Sequence, residues 1–130
     1  MRALITGGVG FVGTHLSRHL VECRDSVAVT YLPIQKGTKD LEERLAILPK
    51  SIQSVALDVA DKAALGQILS LMQPEVIYHL AAISFVPDGE GAQDKVLNIN
   101  AFGTRNIIEA IKEHSPKTRL LLVSSSQVYG

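Results

Sequence analysis

Cysteine, aromatic residues, net charge and long apolar stretches are all scarce in this sequence. The single cysteine, Cys23, excludes a disulfide within the chain and leads us to expect a reducing, cytoplasmic location. The 13 basic and 13 acidic side chains balance, so we expect neither a nucleic-acid partner nor a polybasic membrane anchor. The N-terminal "MRALITGG" lacks the apolar core of a signal peptide, and no apolar run approaches membrane-spanning length.

Apolar runs of strand length instead alternate with segments of helical period along the chain. Strands are predicted at five places: Arg2–Thr6, Ser26–Tyr31, Ser54–Leu57, Glu75–Ala82 and Leu120–Val123. Helices are predicted between them: Phe11–Cys23, Lys39–Leu48, a segment that Asp61 caps, and Gly91–His114.

The predicted strands are nearly continuous in apolar residues, which is typical of a parallel sheet with helices on both faces. We therefore predict one domain over residues 1–130, an α/β doubly wound parallel sheet (a Rossmann fold) with strand order 3-2-1-4-5. Ligands of such sheets bind beyond the carboxyl ends of the strands, at the switch point between strands 1 and 4.

A glycine-rich loop, "TGGVGFVG", joins the first predicted strand to the first helix. Gly7 should allow a tight turn, Gly10 should let backbone N–H groups approach a pyrophosphate, and Gly13 should let the helix pack closely on the sheet. Phe11 and Val12 open the helix, whose N-terminal N–H groups favour an anion. A glycine-rich turn without a ligand is the alternative, but the strand–loop–helix context favours a dinucleotide.

The end of the second strand bears on which dinucleotide is bound. An acidic residue there usually bonds the ribose 2′-hydroxyl of NAD. This chain has Thr30 and Tyr31 instead, and the nearest cations, Lys36 and Lys39, are best interpreted as solvated loop charges. The preference between NAD and NADP stays open.

Two further strand ends carry candidate contacts. In "LDVAD", Asp58 is a candidate partner of the adenine amino group, or else a residue that starts the next helix. In "HLAA", the small residues after His79 would let the backbone lie against a cofactor. We interpret His79 as a core histidine, and no metal site is predicted because no second His or Cys stands at ligand spacing.

Five motifs together resemble, in order and spacing, the extended short-chain dehydrogenase/reductases, the family of NAD-dependent nucleotide-sugar epimerases, dehydratases and 4-keto reductases. The motifs are "TGGVGFVGTHL", "LDVAD", "YHLAA", "NINAFGTRNIIEA" and "VSSSQVYG". "SFVPD", after "HLAA", is most similar to the GDP-mannose dehydratases and the GDP-4-keto-6-deoxymannose reductases.

The resemblance implies roles at matching positions. Ser125 would be the catalytic residue that hydrogen-bonds the reacting sugar oxygen, and Asn100 would order the cofactor side of the site. The implied cofactor contacts are Gly7, Gly10, Phe11, Val12, Gly13, Asp58, Val59, Leu80, Ala81, Ala82 and Asn100. The implied substrate contacts are Ser84, Ser126 and Gln127. Ser124 and Ser126 are also interpretable as strand-end hydroxyls that satisfy backbone groups.

Two departures from the family pattern shape the functional hypothesis. Gln127 stands where the dehydratases carry a glutamate, and an amide cannot exchange a proton at neutral pH, so reductase or epimerase chemistry is favoured. The family's Tyr-x-x-x-Lys lies beyond Gly130. We therefore expect the N-terminal cofactor-binding part of a larger enzyme, truncated after strand 5 and inactive by itself.

Partners of the intact enzyme are also implied. The resemblance implies a nucleotide-sugar substrate and a homodimer, with the Gly91–His114 segment as the candidate interface. The alternative from a different class is a non-catalytic dinucleotide-binding module that acts as a redox sensor or partner subunit. The "SSSQVYG" motif counts against that alternative, because a binding module has no evident need for it.

Overall fold

The computed structural model describes residues 1–83, 92–125 and 129. Within these residues, strands and helices alternate as the hydrophobic pattern predicts. The strands are β1 (Arg2–Thr6), β2 (Ser26–Tyr31), β3 (Gln53–Ala56), β4 (Val76–His79) and β5 (Arg119–Leu122). The helices are α1 (Phe11–Glu22), α2 (Lys39–Ala46), α3 (Lys62–Met72), α4 (Ala92–Leu97) and α5 (Gly103–His114), with a short 3₁₀ turn at Pro33–Gln35.

The five strands form one parallel sheet in the order β3-β2-β1-β4-β5, which confirms the doubly wound fold. β3 and β5 each start one residue earlier than predicted. Register explains the shift: Gln53 pairs with Ala28 of β2, and Arg119 pairs with Val76 of β4. Neighbouring strands, rather than apolar character, therefore set where these strands begin.

The core lies on both faces of the sheet because successive strand residues point to opposite sides. Leu4 of β1 packs with α3 and α5, through the cluster that contains Leu69 and Ile107. Ile5, the next residue, packs with α1 and α2, through the cluster that contains Leu20 and Leu41. β1 thus supplies side chains to both halves of the core.

The helix ends follow local capping. Thr38 and Asp61 each accept a backbone N–H in the first turn of their helices, as predicted for Asp61. α2 ends at Ala46, two residues before the predicted Leu48, because Leu48 turns back and donates its N–H to the Leu45 carbonyl.

The predicted 91–114 helix is interrupted. A π-helical turn, Asn98–Phe102, separates α4 from α5. Such turns are rare, and they frequently occur at functional sites. Helical periodicity does not reveal an inserted residue of this kind, so the sequence predicted one continuous helix.

β5 is an edge strand with little cover within the described residues. Leu121, Leu122 and Val123 are each about half exposed, so neither face of this strand is fully packed. Within the described ranges, every helix is too short or too polar to traverse a lipid bilayer.

The two adjacent isoleucines of α5 test the position of the core. Ile107 is fully buried and Ile108 is 38% exposed, so Ile107→Ala should lower the free energy of unfolding by about 2–5 kcal/mol. Ile108→Ala makes the same change in helix propensity and should cost clearly less. Urea denaturation measures both losses, and equal losses would contradict the packing described here.

Candidate dinucleotide site

The glycine loop leaves β1 through a turn that only glycine fits. Gly7 has φ +67°, a conformation that L side chains rarely adopt. A Cβ there would also lie 2.9 Å from the Cα of Ala81, just after β4. Three hydrogen bonds hold the turn. The Gly7 N–H donates to Thr30 Oγ1 at 3.2 Å, the Gly8 N–H donates to the Thr30 carbonyl at 3.0 Å, and the Gly10 N–H donates to the Gly7 carbonyl at 3.0 Å.

Two other glycines allow close packing beneath the loop. A Cβ on Gly13 would lie 2.5 Å from the Cα of Gly8, so at this position α1 contacts the backbone of the glycine loop. We had predicted that Gly13 would contact the sheet. Gly8, to which the sequence analysis gave no role, sits against β2: a Cβ there would lie 2.5 Å from Val29 Cβ. The adjacent glycines in "TGG" were the signal for this second contact.

Gly10 differs from its neighbours because its free side faces away from the protein. Among the described residues, a Cβ on Gly10 would meet one atom within 4 Å, the Gly7 carbonyl oxygen at 3.2 Å. The protein's own packing therefore gives little reason for glycine at this position. A group that approaches the loop from outside does give one, since the missing Cβ leaves a cradle there.

The start of α1 is open in the same direction. Within the described part of the chain, no side chain caps this helix, whereas Thr38 caps α2 and Asp61 caps α3. Phe11 is 80% exposed and Val12 is 59% exposed. The first-turn N–H groups of α1, together with the positive end of its dipole, can therefore face a phosphate.

The end of β2 supports the glycine loop through Thr30. Thr30 is buried, and its hydroxyl oxygen accepts the Gly7 N–H. Lys39 is exposed and pairs with Glu43 at 3.6 Å, which agrees with a solvated charge. Arg44 of α2 is a cation that contacts the loop.

The sequence did not predict a role for Arg44, because the residue that it contacts, Val9, lies far away along the chain. Its Nη1 donates to the Val9 carbonyl at 3.4 Å, and its Nε bonds Asp40 at 2.9 Å. No local pattern in the sequence indicates that α2 turns this side chain toward the glycine loop.

The turn after β3 gives Asp58 a structural role. Its carboxylate accepts the Ala60 N–H at 2.9 Å and its carbonyl accepts the Asp61 N–H at 3.0 Å. This turn leads directly into α3. The Val59 side chain is buried, and a Cβ on Gly103 would lie 2.6 Å from its Cγ2, so only the backbone of Val59 can face a ligand.

The residues after β4 are held by polar side chains from two directions. The Leu80 N–H donates to the Thr6 carbonyl at 3.2 Å, and the Ala81 N–H donates to Thr6 Oγ1 at 3.3 Å. Asn100, in the π-helical turn, accepts the Ile83 N–H at 2.8 Å and donates to the Ile83 carbonyl at 3.0 Å. Ala82, between these anchors, is exposed.

His79 is a buried core histidine, as predicted. It is 4% exposed, and both ring nitrogens have hydroxyl partners, Thr6 at 2.6 Å and Thr104 at 3.1 Å. Burial lowers its pKa because the charged imidazolium would lose its hydration. No group of three or more metal-ligating side chains occurs in the part of the chain that the structure describes.

Ser125 is exposed and follows β5 at the same edge of the sheet as the glycine loop. The predicted substrate contacts Ser84, Ser126 and Gln127 lie outside the described residues. The structure therefore brings together the glycine loop, residues 80–83 and Asn100.

The β1–β4 switch point, with its open glycine loop, is the arrangement of a doubly wound dinucleotide-binding domain. A family profile described as GDP-mannose 4,6 dehydratase matches residues 4–130. The chain belongs to the NAD-dependent epimerase/dehydratase family of extended short-chain dehydrogenase/reductases, as its motifs indicated.

Curated relatives cover different activities within this family. The chain is 35% identical to a probable UDP-glucuronate 4-epimerase of Rhizobium meliloti, over 100% of this chain and 39% of the relative. It is 32% identical to a dTDP-glucose 4,6-dehydratase of Mycobacterium tuberculosis, over 100% of this chain and 38% of the relative. The chain thus spans about two fifths of the length of the relatives it matches.

Solved structures agree on the fold. A UDP-glucose-4-epimerase from Stenotrophomonas maltophila, with bound NAD and formylated UDP-arabinopyranose, matches with a TM-score of 0.83 and 22% identity over 100% of this chain and 38% of that chain. The UDP-glucose 4-epimerase of Thermus thermophilus, in complex with NAD, matches with a TM-score of 0.76 and 26% identity over 96% of this chain and 38% of that chain.

The different surroundings of the glycines predict opposite effects of small substitutions. Gly13→Ala places a methyl group against backbone, which cannot move aside easily, and should cost about 1–3 kcal/mol of unfolding free energy. Gly10→Ser should cost much less, because Gly10 has extended N-cap geometry that serine favours. Thermal denaturation compares the two variants. A Gly10→Ser protein as unstable as Gly13→Ala would contradict the open geometry described for Gly10.

Proposed function

We propose that this chain is the N-terminal cofactor-binding part of an NAD(P)-dependent nucleotide-sugar epimerase or reductase, with residues 1–130 as its dinucleotide-binding domain. The observation that carries the proposal is the glycine loop. Its Gly10 side is open, and the uncapped start of α1 lies beside it. Two relatives that match 99% and 100% of this chain, a UDP-glucose 4-epimerase and a probable UDP-glucuronate 4-epimerase, support the epimerase alternative.

The described residues fit a dinucleotide at the switch point. First-turn N–H groups of α1, at Phe11 to Gly13, would hold the pyrophosphate. The exposed Ala82 and its neighbours would lie along the nicotinamide half, since small side chains let the backbone approach. The bound nicotinamide would supply reversible oxidation and reduction at a sugar carbon. Solved relatives in complex with NAD support NAD as the cofactor.

The residues after β5 would face the sugar. Ser125 would donate or accept a hydrogen bond at the reacting oxygen and hold it in place. Gln127 would bind substrate through its amide, which neither gives nor takes a proton at neutral pH. This residue favours an epimerase or reductase over the water elimination of a dehydratase. Ser84 and Ser126 are proposed as further contacts to the nucleotide sugar.

Titration with NADH and NADPH, followed by fluorescence, tests the cofactor proposal. We expect saturable binding of at least one of them at one molecule per chain. Gly10→Ser should keep the fold but weaken this binding about tenfold or more, because the serine oxygen caps the N–H groups of α1 and its Cβ enters the cradle. A bulkier Gly10→Val should abolish it.

Two results would contradict the cofactor proposal. If neither NADH nor NADPH bound saturably, the cofactor proposal would be wrong for this chain. Unchanged affinity in Gly10→Ser, with an unfolding curve like that of the original protein, would place any bound dinucleotide elsewhere. Binding without turnover in the full-length protein would instead favour the module that acts as a redox sensor or partner subunit.

A cytoplasmic homodimer completes the proposal. The α4–α5 segment exposes Leu97, Phe102 and Ile108, apolar groups that a second copy would cover. Ile108→Glu should therefore shift sedimentation from dimer to monomer without unfolding the protein, since Ile108 is not in the core. Sedimentation of the original chain as a monomer, or as a dimer that Ile108→Glu leaves intact, would contradict this interface.

A further inference from the structure

Three polar side chains lie connected beneath the switch point: Thr6 of β1, His79 of β4 and Thr104 of α5. Thr6 and His79 are buried and Thr104 is half-buried. Thr6 Oγ1 lies 2.6 Å from His79 Nδ1, and His79 Nε2 lies 3.1 Å from Thr104 Oγ1. Thr6 Oγ1 also accepts a backbone N–H from Ala81, and Thr104 Oγ1 donates to the backbone carbonyl of Asn100.

The direction of these hydrogen bonds follows from the single proton that each hydroxyl carries. Thr104 donates its proton to the Asn100 carbonyl at 2.7 Å, so its oxygen must accept from His79, whose proton therefore lies on Nε2. Nδ1 of the neutral ring is then an acceptor, so Thr6 donates to it.

The two ends of this chain of bonds reach the segment at residues 80–83. At one end, Thr6 Oγ1 accepts the Ala81 N–H at 3.3 Å. At the other end, Thr104 fixes the backbone of Asn100, whose side chain pairs with both the N–H and the carbonyl of Ile83. The chain of hydrogen bonds therefore runs from Ala81 through Thr6, His79 and Thr104 to Asn100. Both of its ends bond to residues 80–83.

We propose that Thr6, His79 and Thr104 are positioning residues, which hold residues 80–83 in place for dinucleotide binding through a one-way hydrogen-bond chain that requires the Nε2–H tautomer of His79. This inference rests on the proposed function, because it assigns the segment to the cofactor site. None of the three residues touches the reacting atoms; they act through Ala81 and Asn100.

Protonation of His79 would break the direction of the chain. A proton on Nδ1 would turn this acceptor into a donor, so the Thr6 hydroxyl would have to reverse. The elements beside His79 present the hydroxyls of Thr6 and Thr104 and the apolar Leu122 of β5, and burial is the cause of the lowered pKa. Within the described residues, no charged side chain contributes to that shift.

The sign of the pH effect follows from the lowered pKa. As pH falls, His79 of the unfolded chain takes up a proton near its ordinary pKa of 6.5, whereas His79 of the folded protein does so only at a lower pH. Stability from the neutral ring is therefore complete above that value and is lost as pH falls from it toward the folded pKa. Dinucleotide affinity should decline at the low end of the same range, when the folded protein itself takes up the proton.

A pair of substitutions at Thr104 tests the proposal. Thr104→Val removes the hydroxyl and keeps the shape, so NADH affinity should fall about fivefold or more, as for one lost hydrogen bond. Thr104→Ser restores the hydroxyl and should recover most of the affinity. Thr118→Val is the control: its buried hydroxyl bonds the Pro74 carbonyl at the opposite edge of the sheet, so it should lower stability without changing affinity.

The ¹⁵N spectrum of the His79 ring provides a readout that does not depend on turnover or on a stable variant. We expect the Nε2–H tautomer in the original protein and a shift toward the other tautomer in Thr104→Val. An Nδ1–H ring in the original protein would overturn the proposal, as would a Thr104→Val protein that binds NADH with unchanged affinity. If the original protein binds neither dinucleotide, the proposed function fails and the positioning role with it, while the ring spectrum still reports the hydrogen-bond chain separately.

Discussion

The turn from Thr6 into Gly7 is the constraint on which the rest of the structure depends. β1 lies at the centre of the sheet, and its last residues must leave between β2 and β4 without a side chain in the way. Gly7 achieves this with a positive φ and a close approach to Ala81. The bonds from Gly7 to Thr30 and from Ala81 to Thr6 then tie all three strand ends together. The carboxyl edge of the sheet is therefore a connected framework.

That framework determines which groups stay available to a ligand. Gly8 and Gly13 pack against other parts of the protein, whereas Gly10 and the first turn of α1 face outward. The two halves of the core hold helices on both faces of the sheet, and within the described residues no helix covers this edge. The packing that stabilises the sheet also leaves a loop that can bind an anion. Because α1 starts close to the end of β1, the loop between them has no room for bulky side chains.

Local patterns in the sequence predicted the Asp61 cap, the glycine turn and the buried state of His79, because each depends on neighbours a few residues apart. The strand order was predicted from the alternation of strands and helices, because parallel sheets with right-handed crossovers allow few arrangements. The same patterns missed Gly8 against Val29, Arg44 against Val9 and the Thr104 bond to His79, whose partners are far apart along the chain. The π-helical turn was missed as well, since one inserted residue barely changes a helical period. The strand register, which shifted β3 and β5, also depends on distant partners.

Backbone amide shifts of a ¹⁵N-labelled sample during NADH addition test the central claim most directly. If the loop and the first turn of α1 bind the pyrophosphate, the largest changes should occur at Gly10, Phe11, Val12 and Gly13, with smaller ones at Ala81 and Ala82. Changes confined to another surface would contradict the account, because the dinucleotide would then be bound away from the switch point.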